Sequence, residues 1–361
     1  MSASPRRPDP DKLKAYAKHV FGALEGAMTS AMIHLGDRLG LYRALVEAGV
    51  PVSSRELSER TGLHERWLRE WLHAQGAAGV LEYTDDERFS LSPEAEVVLA
   101  NESHPAFGCG MFSSLPQTIA VVEKLPEAFR TGVGLDYDAF GPEGARGVER
   151  GFAPWYRALL VPLALRRVAG LTPVLEAGAR VADVGCGGGI ALIEMAKAFP
   201  KSRFHGYDIS KFALERAEAN RQQAGVDNVE FHDARQDPLP DDGSFAFVTT
   251  FDCLHDMTDP AAAMRQIRAA LAGDGTWLIA DIKSKPSFAQ NVADNPMAAL
   301  MYGTSVLSCM SSALSAPDGL GLGTLGLHEA LARQMTSEAG FTRFERLDLD
   351  HPVNAFYVVR P

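Results

Sequence analysis

A strand that must turn into a helix over a run of glycines is the most constraining feature of this chain. Arg180-Val181-Ala182-Asp183-Val184 runs straight into Gly185-Cys186-Gly187-Gly188-Gly189, and a helical pattern opens at Ile190. Glycines here let backbone amides approach a ligand at a helix N-terminus, where the dipole favours a carboxylate or phosphate. A small anionic cofactor is implied. The dinucleotide fingerprint needs Gly or Ala at position 190 when started from Gly185, and Ile190 stands there, so NAD is a minor reading. From Ala179 onward short β-rich runs alternate with helices, the signature of a parallel sheet. Strands are predicted at Arg180–Val184, Arg203–Asp208, Val229–His232, Phe245–Phe251 and Thr276–Asp281, with a closing pair at Phe344–Leu349 and Ala355–Val359. A long insertion, 283–326, separates the fifth strand from the last helix, about Leu327 to Ala339.

At 361 residues the chain exceeds one typical core, and two domains are expected. Residues 1–10 read as a disordered lead-in. Over 11–48 apolar residues recur at helical spacing, and Gly22, Gly26, Gly36 and Gly40 break or bend the run into two or three helices. A Ser53 cap with Glu56 three residues on starts another helix that Gly62 ends. The next helix carries Trp67, Leu68, Trp71 and Leu72 on one face, and a short hairpin follows around Asp85-Asp86. Together these elements make a winged helix, assigned to 11–100, with a helical linker over 101–172 and the α/β domain over 173–361.

A winged helix invites a DNA-binding reading. From Val50 to Ala95, however, five arginines face nine acids, a balance of −4, and the whole chain carries −11. That field repels a polyphosphate, so nucleic acid is not the expected partner and a structural or dimerising role is. The longest apolar run, Ala158 to Leu165, is eight residues, too short to cross a bilayer. No apolar stretch follows Arg6-Arg7 as an export signal would require, so a cytoplasmic location is expected. Cys109, Cys186, Cys253 and Cys309 form no CxxC pair and are expected to be free thiols.

The segment from Asp183 to Gly189 has the form DxGxGxG and resembles motif I of class I S-adenosylmethionine (SAM) methyltransferases. Asp208, closing the second strand in Gly206-Tyr207-Asp208-Ile209, matches the acid that in this family accepts hydrogen bonds from both ribose hydroxyls; alone, it could equally be a cap. Asp233-Ala234 after the third strand matches the position reading the adenine amino group. The resemblance thus implies a cofactor site of Asp183, Gly185, Cys186, Gly187, Asp208, Ile209, Asp233, Ala234 and Phe251, taking SAM and releasing S-adenosylhomocysteine. The winged helix joined to such a fold is similar to plant-type phenolic O-methyltransferases, and more closely to a bacterial group of largely unassigned substrate. The likeness spans about Leu13 to Val359. It implies an α/β fold with a Rossmann-like seven-stranded methyltransferase sheet and a mainly helical N-terminal winged-helix domain that makes a homodimer.

Beyond the fourth strand stands Phe251-Asp252-Cys253-Leu254-His255-Asp256-Met257. His255 matches the family's base, and an imidazole near pKa 6.5 is able to accept a proton at neutral pH; the bland reading is a histidine that shapes the pocket floor. Asp281 matches a position that orients this histidine, with a shorter side chain than the family's usual Glu. Asp256 either faces the substrate or caps the helix at Thr258-Asp259-Pro260. Metal-dependent relatives hold magnesium with an acid after strand four and an Asp-Asn or Asp-Asp pair after strand five. Asp252 and Asp281 supply two acids, but Ile282 takes the place of the second ligand, and Asp294-Asn295 lies too far along without a fold-back, so no metal is expected. Apolar and aromatic residues of the linker and insertion fit a flat or hydrophobic acceptor, among them Met111, Tyr156, Tyr302 and Met310, though most such residues pack domains. Arg157 could pair with the cofactor's carboxylate or lie on the surface. The expected activity is methyl transfer to a hydroxyl of a small aromatic or hydrophobic molecule. N- or C-methylation, and a SAM-responsive winged-helix transcriptional regulator, are the alternatives.

Overall fold

The computed structural model describes residues 7–361; most of the lead-in expected over 1–10 lies outside the described residues. The chain divides into two compact units, the second beginning at Pro116.

The first unit opens with α1 (Pro10–Arg38), capped by Asp9, whose carboxylate accepts from the amides of Asp11 and Lys12. Gly22, Gly26 and Gly36 do not interrupt it, contrary to expectation. A helical glycine costs about 1 kcal/mol without breaking the helix, whereas Gly40, at φ +71°, does end it. Gly36 is a packing position, since a Cβ there would stand 2.5 Å from the Trp71 ring. Then come α2 (Leu41–Ala48), α3 (Ser54–Thr61) and α4 (Glu65–Ala77), the hairpin β1 (Glu82–Tyr83) and β2 (Phe89–Ser90), and α5 (Pro93–Leu99). The expected capping box is present: Ser53 N donates to Glu56 Oε2 at 2.7 Å, Glu56 N donates to Ser53 Oγ at 3.3 Å, and Gly62 ends the helix at φ +69°. On α4 the buried stripe is Leu68, Trp71, Leu72 and Gln75, while Trp67 is 80% exposed. One residue back on a helix is a rotation of about 100°, which takes Trp67 off the face it was expected to share.

The second unit contains a seven-stranded sheet: β3 (Arg180–Val184), β4 (Arg203–Asp208), β5 (Val229–Asp233), β6 (Phe245–Phe251), β7 (Leu271–Ile282), β8 (Arg343–Leu347) and β9 (Asn354–Arg360). Their order is β5-β4-β3-β6-β7-β9-β8. All pairings from β5 to β7 are parallel, and β9 runs antiparallel to both neighbours. The closing pair therefore makes the sheet mixed rather than wholly parallel.

Both faces are covered, so successive strand residues feed opposite cores. Val181 packs with Leu192, Phe204 and Phe247 beneath the helix Ile190–Ala198. Ala182 packs on the other face with Val248, Trp277 and the helices Pro260–Ala270 and Glu329–Glu338. Full burial of each large apolar side chain contributes about 1.5–3 kcal/mol, and Trp277 Nε1, which burial would otherwise strand, donates to Thr250 Oγ1 at 3.1 Å. The strand order reverses beside β3, after which the chain returns to the sheet at β6. In open α/β sheets the crevice at the carboxyl ends beside such a reversal is where ligands bind. No helix among the described residues is long and apolar enough to cross a membrane.

Candidate active site

Five carboxyl ends converge on that crevice. After β3 the glycine turn places Gly185, Gly187 and Gly189 at φ +75°, +54° and +73°, conformations that L side chains avoid. Among the described residues, no atom beyond its chain neighbours lies within 4 Å of where a Cβ on Gly187 would project, so this backbone is open to a ligand. Asp208, ending β4, lies beside the turn and accepts from Gly187 N and Ser210 N, both at 2.8 Å. Burial raises its pKa, and those two amides oppose the rise. Asp183 is fully enclosed and accepts from Thr249 Oγ1 at 2.7 Å. Burial pushes its pKa up to about 7 against the pull of that hydroxyl. Asp233, ending β5, is held by Arg235 and Gln236, which keep it ionised below the usual range, and Ala234 N donates to Asp208 O at 2.9 Å. Ile209 is half exposed, while Cys186 and Phe251 are buried.

The second cluster follows β6 and β7. His255 Nδ1 stands 2.6 Å from Asp281 Oδ1, with both side chains almost fully buried. The shorter Asp therefore reaches the histidine. Ile282 N donates to the same oxygen at 2.8 Å, while Oδ2 is buried with no hydrogen-bond partner among the described residues. Burial disfavours a charged His255, yet the Asp281 carboxylate, with a smaller contribution from Cys309, holds its pKa well above the ordinary 6.5. Asp252 adopts φ +52°, is bonded by Asn354, and is pushed by burial and the Asp281 charge up to about 8.

Asp256 does not cap the following helix. Asp259 does, accepting from Ala262 N at 2.8 Å, which leaves Asp256 to accept from Tyr137 Oη at 2.7 Å. Burial raises Asp256 to about 7, with His255 and Tyr137 opposing. The Tyr156 ring lies tilted against Phe251 with centroids 5.5 Å apart, and Met310 packs near Gly323, whose amide donates to His255 O at 3.0 Å. Tyr302 is held within the insertion, its hydroxyl accepting from Asn291 Nδ2 at 3.2 Å. Met111 belongs to the first unit, 61% exposed, and is not among the residues the second unit brings together. Arg157 is exposed.

Several residues that shape the crevice carry no local sequence signal. A short 3-10 turn at Tyr137–Phe140, capped by Asp136, supplies Tyr137 to Asp256 and Asp138 to Ser210 Oγ at 2.6 Å. Glu149, on the helix Gly141–Trp155, makes a bidentate pair with Arg216 at 2.9 Å, and Asn220 Nδ2 donates to Gly188 O. That helix continues as a π-helical stretch over Tyr156–Leu165, with Pro162 inside it. A second π turn, Ser305–Cys309, brings the Cys309 thiol to His255 and Asp256, their ligand atoms within 4.8 Å of one another.

Residues 175–342 match the family described as a methyltransferase domain, and residues 27–101 match the Rv2258c-like winged HTH domain. The chain is 25% identical over 336 residues to the mitomycin biosynthesis 6-O-methyltransferase of Streptomyces lavendulae, covering 88% of this chain and 93% of that one. It is 37% identical over 131 residues to the 27-O-demethylrifamycin SV methyltransferase of Amycolatopsis mediterranei, covering 36% of this chain and 47% of the relative. The chain spans about half the length of most curated relatives it matches. Human N-acetylserotonin methyltransferase, solved in complex with SAM, shares the fold at TM-score 0.66 and 17% identity, with 99% of each chain covered. The two family matches give the order of a winged HTH segment followed by a methyltransferase domain.

The buried groups set the pH dependence of stability. Asp183, Asp252, Asp256 and His255 all have folded pKa values above their unfolded ones, so the folded chain binds more protons and loses stability as pH rises through those values. His205 and His351 are shifted the opposite way, but they act below their unfolded pKa of about 6.5. Urea unfolding of the ligand-free protein should therefore show stability falling from about pH 6.5 to 8, and Asp252→Asn should flatten the slope. A rise over that window would contradict the assignment.

Proposed function

We propose that the chain catalyses SAM-dependent methyl transfer to a hydroxyl of a small aromatic or hydrophobic molecule, with His255 as the general base. The observation that carries the reading is the His255–Asp281 contact of 2.6 Å, set at the same sheet edge as the glycine turn. The crevice suits SAM because Gly187 leaves its backbone open and Asp208 borders the turn with lone pairs to spare for ribose hydroxyls. Asp233 and Ala234 would meet the adenine, and Phe251 and Cys186 would wall the nucleoside. When bound, the sulfonium supplies an electrophilic methyl group.

The side chains of the protein do the rest. Asp281 takes the Nδ1 proton of His255 as a hydrogen bond and so presents Nε2 as a lone pair. As the acceptor oxygen forms its bond to carbon, its proton passes to Nε2, and the Asp281 charge offsets the imidazolium that results. Trp155, Tyr156 and Phe251, whose rings meet at 5.5–6.4 Å, offer an aromatic wall that would exclude water and orient a flat acceptor. A base must be neutral to act, and Asp281 raises the pKa of His255. Activity should therefore climb with pH through a value above 6.5, and Asp281→Asn should lower kcat while moving that limb to lower pH. His255→Ala should lower kcat about 10²–10⁴-fold with SAM affinity retained; undiminished turnover would remove the base.

The first unit is proposed to pair with a second copy. Leu13, Tyr16, Val20, Phe21, Leu24 and Met28, each more than half exposed, run along α1 at helical spacing. An apolar stripe of this length in a lone chain marks an interaction face. Light scattering after gel filtration should give a dimer, and Phe21→Asp with Leu24→Asp a monomer. A monomeric wild-type protein at micromolar concentration would overturn the pairing.

A further inference from the structure

On one face of the edge strand and its neighbour, two histidines and a glutamate meet, His232 standing next to Asp233 in sequence. β5 is the edge of the sheet, and in the β4–β5 register His205 lies opposite Glu230 and Tyr207 opposite His232, so all four point to the same side. His205 Nδ1 is 3.2 Å from His232 Nε2 and 3.7 Å from Glu230 Oε2. The other nitrogen of His232 is 2.7 Å from Asp237 Oδ2. From this geometry we infer a binding site for one divalent transition-metal ion of the zinc class, with His205, His232 and Glu230 as ligands.

The spacing suits such an ion. Two nitrogens each about 2.0–2.1 Å from a tetrahedral metal stand roughly 3.3–3.4 Å apart; the observed 3.2 Å is within a small adjustment of that. Glu230, 66% exposed, has room to close the remaining gap and leaves a fourth position to water. Asp237 fixes the proton of His232 on Nδ1 and frees Nε2 for the metal, the carboxylate–histidine arrangement that orients metal-bound imidazoles. His205 needs only to carry its own proton on Nε2, and burial together with the nearby Arg180 already disfavours its charged form. The charges facing the cluster are Arg180 and Arg203 on one side and Glu230 and Asp237 on the other. Arg180 is partly neutralised, since it donates to Ser244 Oγ at 2.6 Å and lies 3.9 Å from Asp242. Two imidazoles and one carboxylate select zinc, cobalt or nickel over magnesium and calcium, which take all-oxygen sets. Tyr207 stacks on His232 with centroids 4.8 Å apart and holds the ring in place.

The test is a cobalt(II) titration of the untagged full-length chain followed by visible absorption, with zinc added in competition and no SAM present. One equivalent should bind, at micromolar or tighter zinc affinity. His232→Asn should weaken it at least about tenfold and Asp237→Asn about 10–100-fold. Glu230→Gln, at an exposed position, should weaken it measurably and keeps the test decisive if His232→Asn does not fold. Cys309→Ser should leave binding unchanged, which separates this site from the His255, Asp256 and Cys309 cluster. Absence of uptake, uptake indifferent to Glu230→Gln and Asp237→Asn, or uptake lost in Cys309→Ser would each overturn the inference.

Discussion

Parallel strands buried on both faces leave only their ends free for chemistry, and this constraint arranges the second unit. β3, β4, β5, β6 and β7 all point the same way, so the residues that follow each strand share one edge of the sheet. The strand order reverses beside β3, the position at which open α/β sheets bind ligands. The glycine turn, Asp208, Asp233, the His255 loop and Asp281 are therefore neighbours although they are spread from residue 183 to residue 281. The packing that fixes the strands is what fixes the site, and Trp277, Phe247 and Phe204, each fully enclosed, are part of its support.

Within the crevice, burial and charge act against each other. Asp183, Asp208, Asp252, Asp256 and His255 are largely or wholly enclosed, and removal from water alone favours the neutral form of each. Asp281 is the group that breaks the symmetry, because its Oδ1 accepts from both His255 and the Ile282 amide. Its charge then raises the proton affinity of His255 and pushes Asp252 up to about 8. An isolated buried imidazole would be a poor base with a depressed pKa. Beside Asp281 it gains proton affinity where an acceptor hydroxyl would lose its proton.

Much of this was legible in the sequence because it is local. DxGxGxG between a strand and a helix, acids at strand ends, and the His-Asp pair after β6 each depend on a few consecutive residues, and each of the seven expected strands overlaps an observed one, although β7 begins at Leu271 rather than Thr276. The antiparallel turn of β9 was not legible, since strand direction leaves no mark on residue type. Long-range partners were equally silent. Tyr137 meets Asp256 across 119 residues, and Glu149 meets Arg216 across 67; the glycine and proline clusters that flank this segment read as linker. Gly22, Gly26 and Gly36 misled in the other direction, because glycine lowers helix propensity without breaking a helix, and Gly36 is needed where Trp71 approaches. Trp67 and Trp71 are identical in type and differ only in helical phase.

The claim on which the account rests is that the glycine turn and Asp208 hold a sulfonium nucleoside. Isothermal titration calorimetry of the full chain with SAM and with S-adenosylhomocysteine tests it directly. Saturable binding at one site per chain, weakened at least about tenfold in Asp208→Ala through lost charge-assisted hydrogen bonds, is the expected result. No saturable heat with either compound, or an Asp208→Ala protein that binds as tightly as the wild type, would contradict it.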